Sequence, residues 1–128
     1  MRLLLDTHSF LWFILNDPLL SATARDLIAD PKNEIEISPA SYWEIASKIS
    51  IGKYSLNEPL DIFLEREIAV NQFRILNIEP RHVAPLTGLP FHHRDPFDRL
   101  IISQAIVEEI PVVTVDAAFD QYPVKRLW

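Results

Sequence analysis

The sequence predicts a three-layer α/β domain with a mainly parallel central sheet of about five strands. Three observations carry that expectation. Strand-like and helix-like segments alternate along the whole chain, the order produced when crossover helices return the chain to parallel neighbours. Strand candidates such as Leu3-Leu4-Leu5 and Val112 to Val115 are short and apolar or β-branched, as buried strands are. The chain has only two glycines, and its ten prolines fall mostly at element borders. A length of 128 residues fits a single domain over 1–128.

Each element has a local reason. Leu3 to Leu5 is the first strand. His8 to Leu15 reads as an almost wholly apolar helix, ended by Asn16-Asp17-Pro18. Ser21 is placed to cap a helix over 22–29. Glu34 to Ser38 alternates in the strand manner. Pro39 opens a helix whose apolar positions Tyr42, Ile45, Ala46 and Ile49 keep helical spacing, with Gly52 just past its end. Pro59 starts a helix to about Gln72, and Phe73 to Ile78 reads as the third strand. A short helix is expected over 80–88. Asp95-Pro96 opens a long helix to about Glu109. Val112 to Val115 and Val124 to Leu127 complete the sheet.

Composition bounds the function. Hydrophobic residues make up 48% and charged residues 23%, enough for a packed core. The absence of cysteine removes disulfides and thiolate metal sites and agrees with a cytoplasmic setting. Met1 to Asp6 meets charge too early for a signal-peptide core, and no apolar run has membrane-spanning length, so no membrane association is expected. The net charge of −6 has the wrong sign for a simple nucleic-acid binder. Either the chain avoids nucleic acid, or part of this charge is a cluster that a cation neutralises.

The positions of the acids bear on that choice. Ligand sites of parallel sheets lie beyond the carboxyl ends of the strands. Asp6 follows the first strand and Asp116 follows Val112 to Val115, so both reach the same edge. Either acid also serves as an ordinary helix or turn cap. Asp95 is a natural N-cap, with Pro96 at the first helical position. Asp98 then heads an apolar stripe with Ile101, Ile102 and Ala105, which turns an acid inward. Glu44 lies at the fringe of its helix with Lys48 at i+4, and by spacing alone reads as a solvated ion pair. Carboxylates crowded at one edge repel unless a cation sits between them. Hard cations such as Mg²⁺ or Mn²⁺ suit oxygen ligands and phosphodiester hydrolysis with one or two metals. His8, His82, His92 and His93 show no zinc-binding spacing.

These residues resemble a known family. Leu5-Asp6-Thr7-His8, Ser41-Tyr42-Trp43-Glu44-Ile45, Asp95-Pro96-Phe97-Asp98-Arg99 running on to Ala105, and Val113-Thr114-Val115-Asp116 look like the ordered motifs of PIN domains. The similarity is greatest to VapC-type toxins of bacterial toxin–antitoxin pairs, and it spans essentially the whole chain. The resemblance implies strand order 3-2-1-4-5 and an acidic pocket for Mg²⁺, with Mn²⁺ as the alternative. It assigns Asp6, Glu44, Asp98 and Asp116 as catalytic metal ligands and Thr114 as a supporting hydroxyl. Glu44 enters the site through this resemblance alone. The implied activity is metal-dependent endoribonucleolytic cleavage, and the implied partners are RNA, a cognate antitoxin and a second copy of the chain.

Two further expectations concern surfaces. His92, His93, Arg94 and Arg99 cluster around the start of the Asp98 helix and are expected to hold RNA beside a negative pocket. The alternative is a polar loop, with Arg99 paired to a neighbouring acid. Phe10 to Leu15 is apolar all round, so a partner chain or neighbouring helices of the same chain must cover it. Two other classes compete. Haloacid-dehalogenase-like phosphatases need a second Asp where His8 stands. A phospho-receiver or other non-catalytic Mg²⁺ module needs a paired acid near the first strand, which Arg2 to Leu5 does not supply.

Overall fold

The computed structural model describes residues 1–128. Its central sheet has strands β1 (Arg2–Leu5), β2 (Glu34–Ile37), β3 (Arg74–Ile75), β4 (Val112–Val113) and β5 (Arg126–Leu127). They lie in the order β3-β2-β1-β4-β5, and every pair is parallel. Helices α1 (Thr7–Ile14), α2 (Ala22–Ala29), α3 (Pro39–Ser50), α4 (Leu60–Val70), α5 (Pro80–Val83) and α6 (Pro96–Glu108) make the crossovers. Two 3₁₀ turns, Ala84–Thr87 and Ala117–Gln121, complete the secondary structure.

Strand alternation splits the core into two faces. Leu3, Leu5, Ile35, Ile37 and Val113 point to one side and pack with Phe10, Ala24, Ile45 and Phe63. Leu4 and Val112 point to the other side and meet Ile101, Ile102 and Ala105 of α6. Leu3, Leu4 and Leu5 are all fully buried, which is why the first strand shows no polar alternation.

The caps fall where the sequence places them. Ser21, Asp95 and Asp6 each accept backbone N–H bonds from the first turns of α2, α6 and α1. Gly52 takes a φ of +74° just beyond α3, the left-handed conformation that ends a helix.

Several expected elements are shorter. The 80–88 helix breaks into α5 and a 3₁₀ turn at Pro85, which has no N–H to continue the ladder. The third strand shrinks from 73–78 to Arg74–Ile75 and the last from 124–127 to Arg126–Leu127. Each is an edge strand with one neighbour to pair with. Val115 leaves the sheet and is 46% exposed. Thr114 stays buried, and its N–H bonds Leu127 O at 3.2 Å. The apolar helix α1 buries Phe10 and Leu11 and leaves Trp12, Phe13 and Ile14 half-buried, with Trp12 edge-on to Trp128 at 6.0 Å. Neighbours in the same chain therefore cover most of it. No helix is long and apolar enough to cross a membrane.

Candidate metal centre

The acids gather at the carboxyl edge of β1 and β4. Asp6, the residue after β1, is 3% exposed. Its Oδ1 accepts the Ser9 N–H at 2.9 Å and its Oδ2 accepts the Thr114 hydroxyl at 2.7 Å. Asp6 therefore caps α1 through one oxygen and meets Thr114 through the other. Burial pushes the Asp6 carboxyl up from its ordinary range, while the bonds from Ser9 and Thr114 hold it down. Thr114 also accepts the Asp116 N–H at 3.0 Å, so one hydroxyl ties the first acid to the fourth. Asp116 caps the following turn through Oδ1, bonded by the Ala118 N–H at 3.0 Å, and turns Oδ2 inward.

Asp98 sits in the first turn of α6, where Asp95 Oδ1 receives the N–H groups of Phe97 and Asp98 at 2.8 and 3.1 Å. Asp95 thus keeps its capping role. Asp98 is pushed up to about 8, first by burial, then by the charges of Asp95, Asp6, Glu44 and Asp116. Repulsion from all three other candidate acids places Asp98 at the centre of the cluster.

Glu44 differs most from its reading by spacing. The Lys48 partner is present, Nζ to Oε2 at 2.7 Å. Yet Glu44 is 2% exposed, and its Oε1 has no hydrogen-bond partner. The start of α3 packs against the start of α6, with Trp43 edge-on to Phe97 at 4.9 Å. Packing of α3 against α6 makes this helix-fringe residue an interior one.

The basic cluster divides. Arg94 and His92 are exposed, His92 resting on Tyr122 at 5.3 Å. Arg99 departs from the RNA-holding expectation, and it pairs with no acid. It is buried, and its guanidinium donates to the Pro90, Leu89 and His93 carbonyls at 2.9, 3.0 and 3.4 Å. Phe91 lies over it at 3.8 Å. A buried guanidinium donating to three carbonyls holds a loop. His93 points inward: its Nε2 lies 2.7 Å from Asp116 Oδ2 and 3.1 Å from Asp98 Oδ2. His93, Asp98 and Asp116 each offer an atom within 4.8 Å of the others. The sequence carried little signal for this: only the proximity of a histidine to a helix-start acid five positions later.

The donor set fits a hard divalent cation. Asp98 and Asp116 converge with His93, burial and the charges of Asp95, Asp6, Glu44 and Asp116 push the Asp98 carboxyl up, and Glu44 presents a buried oxygen without a partner.

The fold and site together define a parallel α/β domain with a carboxylate cluster at its strand ends. The PIN domain family model matches residues 3–125, and the chain belongs to that family. Solved structures share the fold. A chain in the crystal structure of VapBC2 from Rickettsia felis, bound to a DNA fragment from their promoter, aligns with TM-score 0.73 and 21% identity. That alignment covers 99% of this chain and 98% of the other. VapBC-1 from nontypeable Haemophilus influenzae gives 0.64 and 15%, covering 99% and 97%. FitAcB from Neisseria gonorrhoeae gives 0.60 and 15%, covering 98% and 96%. No curated protein sequence matches the chain.

Proposed function

We propose that this chain is a divalent-metal-dependent endoribonuclease and the toxin of a cytoplasmic toxin–antitoxin pair. The observation that carries the reading is the meeting of Asp98 and Asp116 at the strand-end edge, with one buried Glu44 oxygen unpartnered. Asp6, Glu44, Asp98 and Asp116 are the residues that would hold the cation. Mg²⁺, or Mn²⁺ in its place, supplies an activated water and neutralises charge at the phosphate.

The chain's own groups do the rest. Thr114 and the Ser9 N–H fix Asp6, so its carboxylate is aimed before the cation arrives. Asp98 would hold the cation as a carboxylate. Lys48 offsets part of the charge on Glu44 while leaving Oε1 free. Arg94, exposed in the loop before α6, would receive backbone phosphates.

Membership of the PIN family and likeness to VapBC and FitAcB complexes support a protein partner. So does a cavity of about 420 Å³ lined by Leu11, Trp12, Leu15, Ile45, Lys48 and Tyr54 among others. It runs from the apolar face of α1 to the lysine that pairs with Glu44. An antitoxin segment lying there reaches the edge of the acids and blocks them. A homodimer is part of the same reading.

The test is RNA cleavage by the purified chain with Mg²⁺, with EDTA and after Asp98→Asn. Cleavage should require the metal and the acid. Full cleavage by Asp98→Asn in EDTA would overturn the mechanism. Metal binding without release of RNA fragments would favour a non-catalytic Mg²⁺ module. Expression alone should be toxic, and co-expression with the neighbouring gene product should give a stable, weakly active complex. The mass of the isolated chain in solution tests the dimer.

A further inference from the structure

The loop before α6 is built around one side chain. Arg99 and Tyr122 grip it from below. Arg99 donates to the Leu89, Pro90 and His93 carbonyls. The Tyr122 hydroxyl donates to Pro90 O at 2.6 Å and accepts the His93 N–H at 2.8 Å. The His93 ring stands edge-on to Phe119, with centroids 5.8 Å apart. Its Nδ1 accepts the Asp95 N–H at 3.2 Å. With Nδ1 an acceptor, the ring hydrogen is on Nε2, which donates to Asp116 Oδ2 at 2.7 Å and lies 3.1 Å from Asp98 Oδ2.

Resting on the divalent-metal reading of the acid cluster, we infer that His93 is a positioning residue of that site. Its Nε2–H holds Asp98 and Asp116 at the separation in which they receive a cation, and the imidazole is not itself a ligand.

Two alternatives fail on geometry. As a ligand, Nε2 must give up its hydrogen, and the other tautomer sets an Nδ1–H against the Asp95 N–H. As an RNA contact, His93 lacks a free donor and its side chain is only 13% exposed. Positioning costs the site no ligand atoms. Asp98 Oδ1 takes part in no hydrogen bond, and each carboxylate oxygen carries a second lone pair. Glu44 Oε1, buried and unpartnered, is independent evidence that the cluster is completed by something besides His93. Without the imidazole, Asp116 keeps only its capping contact and Asp98 loses the Nε2–H 3.1 Å from its Oδ2.

The test uses the purified full chain and Mn²⁺ alone as the probe, with binding followed by electron paramagnetic resonance of free Mn²⁺. His93→Ala should weaken Mn²⁺ binding about tenfold or more, the scale expected when a group orienting metal ligands is lost. His93→Gln, whose amide nitrogen reaches the place of Nε2, should restore binding to within about threefold of wild type. Long-range ¹H–¹⁵N spectra of the wild-type chain should show the Nε2–H tautomer with and without Mg²⁺, a readout free of any variant's folding. Mn²⁺ binding by His93→Ala that equals or exceeds wild type overturns the proposal. So does an Nδ1–H tautomer with Mg²⁺ bound, which makes His93 a ligand, and so does a wild-type chain with no Mn²⁺ site. A chain whose Mn²⁺ binding depends on His93 but which cuts no RNA upholds the proposal and removes the nuclease reading.

Discussion

Replacing Asp98 by Asn should make the metal-free protein more stable and flatten its pH dependence. In the folded chain the Asp98 carboxyl is pushed from 3.8 to about 8, by burial and by four neighbouring acids. In the unfolded chain it regains an ordinary carboxylate value. The folded state therefore binds more protons than the unfolded state between those two values. The stabilising contribution of protonated Asp98 is fully present below the unfolded value and is lost as pH rises through the folded one. At about 1.4 kcal/mol per tenfold change, the loss between about pH 5 and pH 8 is roughly 4 kcal/mol. Asn cannot ionise, so this decline should vanish, and Asp98→Asn should exceed wild type by several kcal/mol near pH 8. The assay is urea unfolding in EDTA across that range, followed by circular dichroism and compared at fixed slope. Saturating Mg²⁺ should reverse the order, stabilising wild type and leaving the variant unmoved. A wild-type stability that rises from about pH 5 to pH 8 in EDTA, or a variant with the same decline, would refute the reasoning.

Other perturbations follow from the same geometry. Thr114→Val removes the hydroxyl shared by Asp6 and Asp116 and should lower the cleavage rate about tenfold with little change in KM, read from RNA-concentration curves. Asp6→Asn should nearly abolish cleavage. Asp116→Asn should cost less, because the Asp116 side chain is 38% exposed at the rim and water can take its place. Arg99→Ala should destabilise the chain by about 2–3 kcal/mol in urea unfolding, by leaving buried carbonyls unpaired. Arg94→Ala should leave stability alone, raise KM and flatten the salt dependence of cleavage. At the opposite end of α6, Glu108 is held down to about 2, chiefly by the bond from His82, with help from Arg2 and Arg81. That contribution is present above the ordinary carboxylate value and disappears as pH falls through about 2. Glu108→Gln should cost about 1–2 kcal/mol at neutral pH, trimmed by solvent screening, with the difference closing in acid.

The sequence by itself determined the parts that local physics governs. The apolar run Leu3-Leu4-Leu5, the caps Ser21 and Asp95, Pro96 at the head of α6 and Gly52 past α3 fold as their immediate neighbours dictate. The placement of Asp6 and Asp116 at one sheet edge was legible because a parallel sheet sends every strand end there, and the inward turn of Asp98 because it heads an apolar stripe. The tertiary structure alone decided the rest. The i,i+4 bond between Glu44 and Lys48 forms as spacing predicts, yet with α3 packed against α6 Glu44 is only 2% exposed and its second oxygen has no partner. Arg99 and His93 share a basic stretch of sequence but separate in space. One clasps the loop from beneath, and the other turns toward Asp98 and Asp116. Their roles depend on Tyr122, Phe119 and Asp116, more than twenty residues from His93, which come alongside only when β4 docks against β1. Burial and pairing are set by what packs across the sheet, and no short-range pattern of spacing or propensity carries that information.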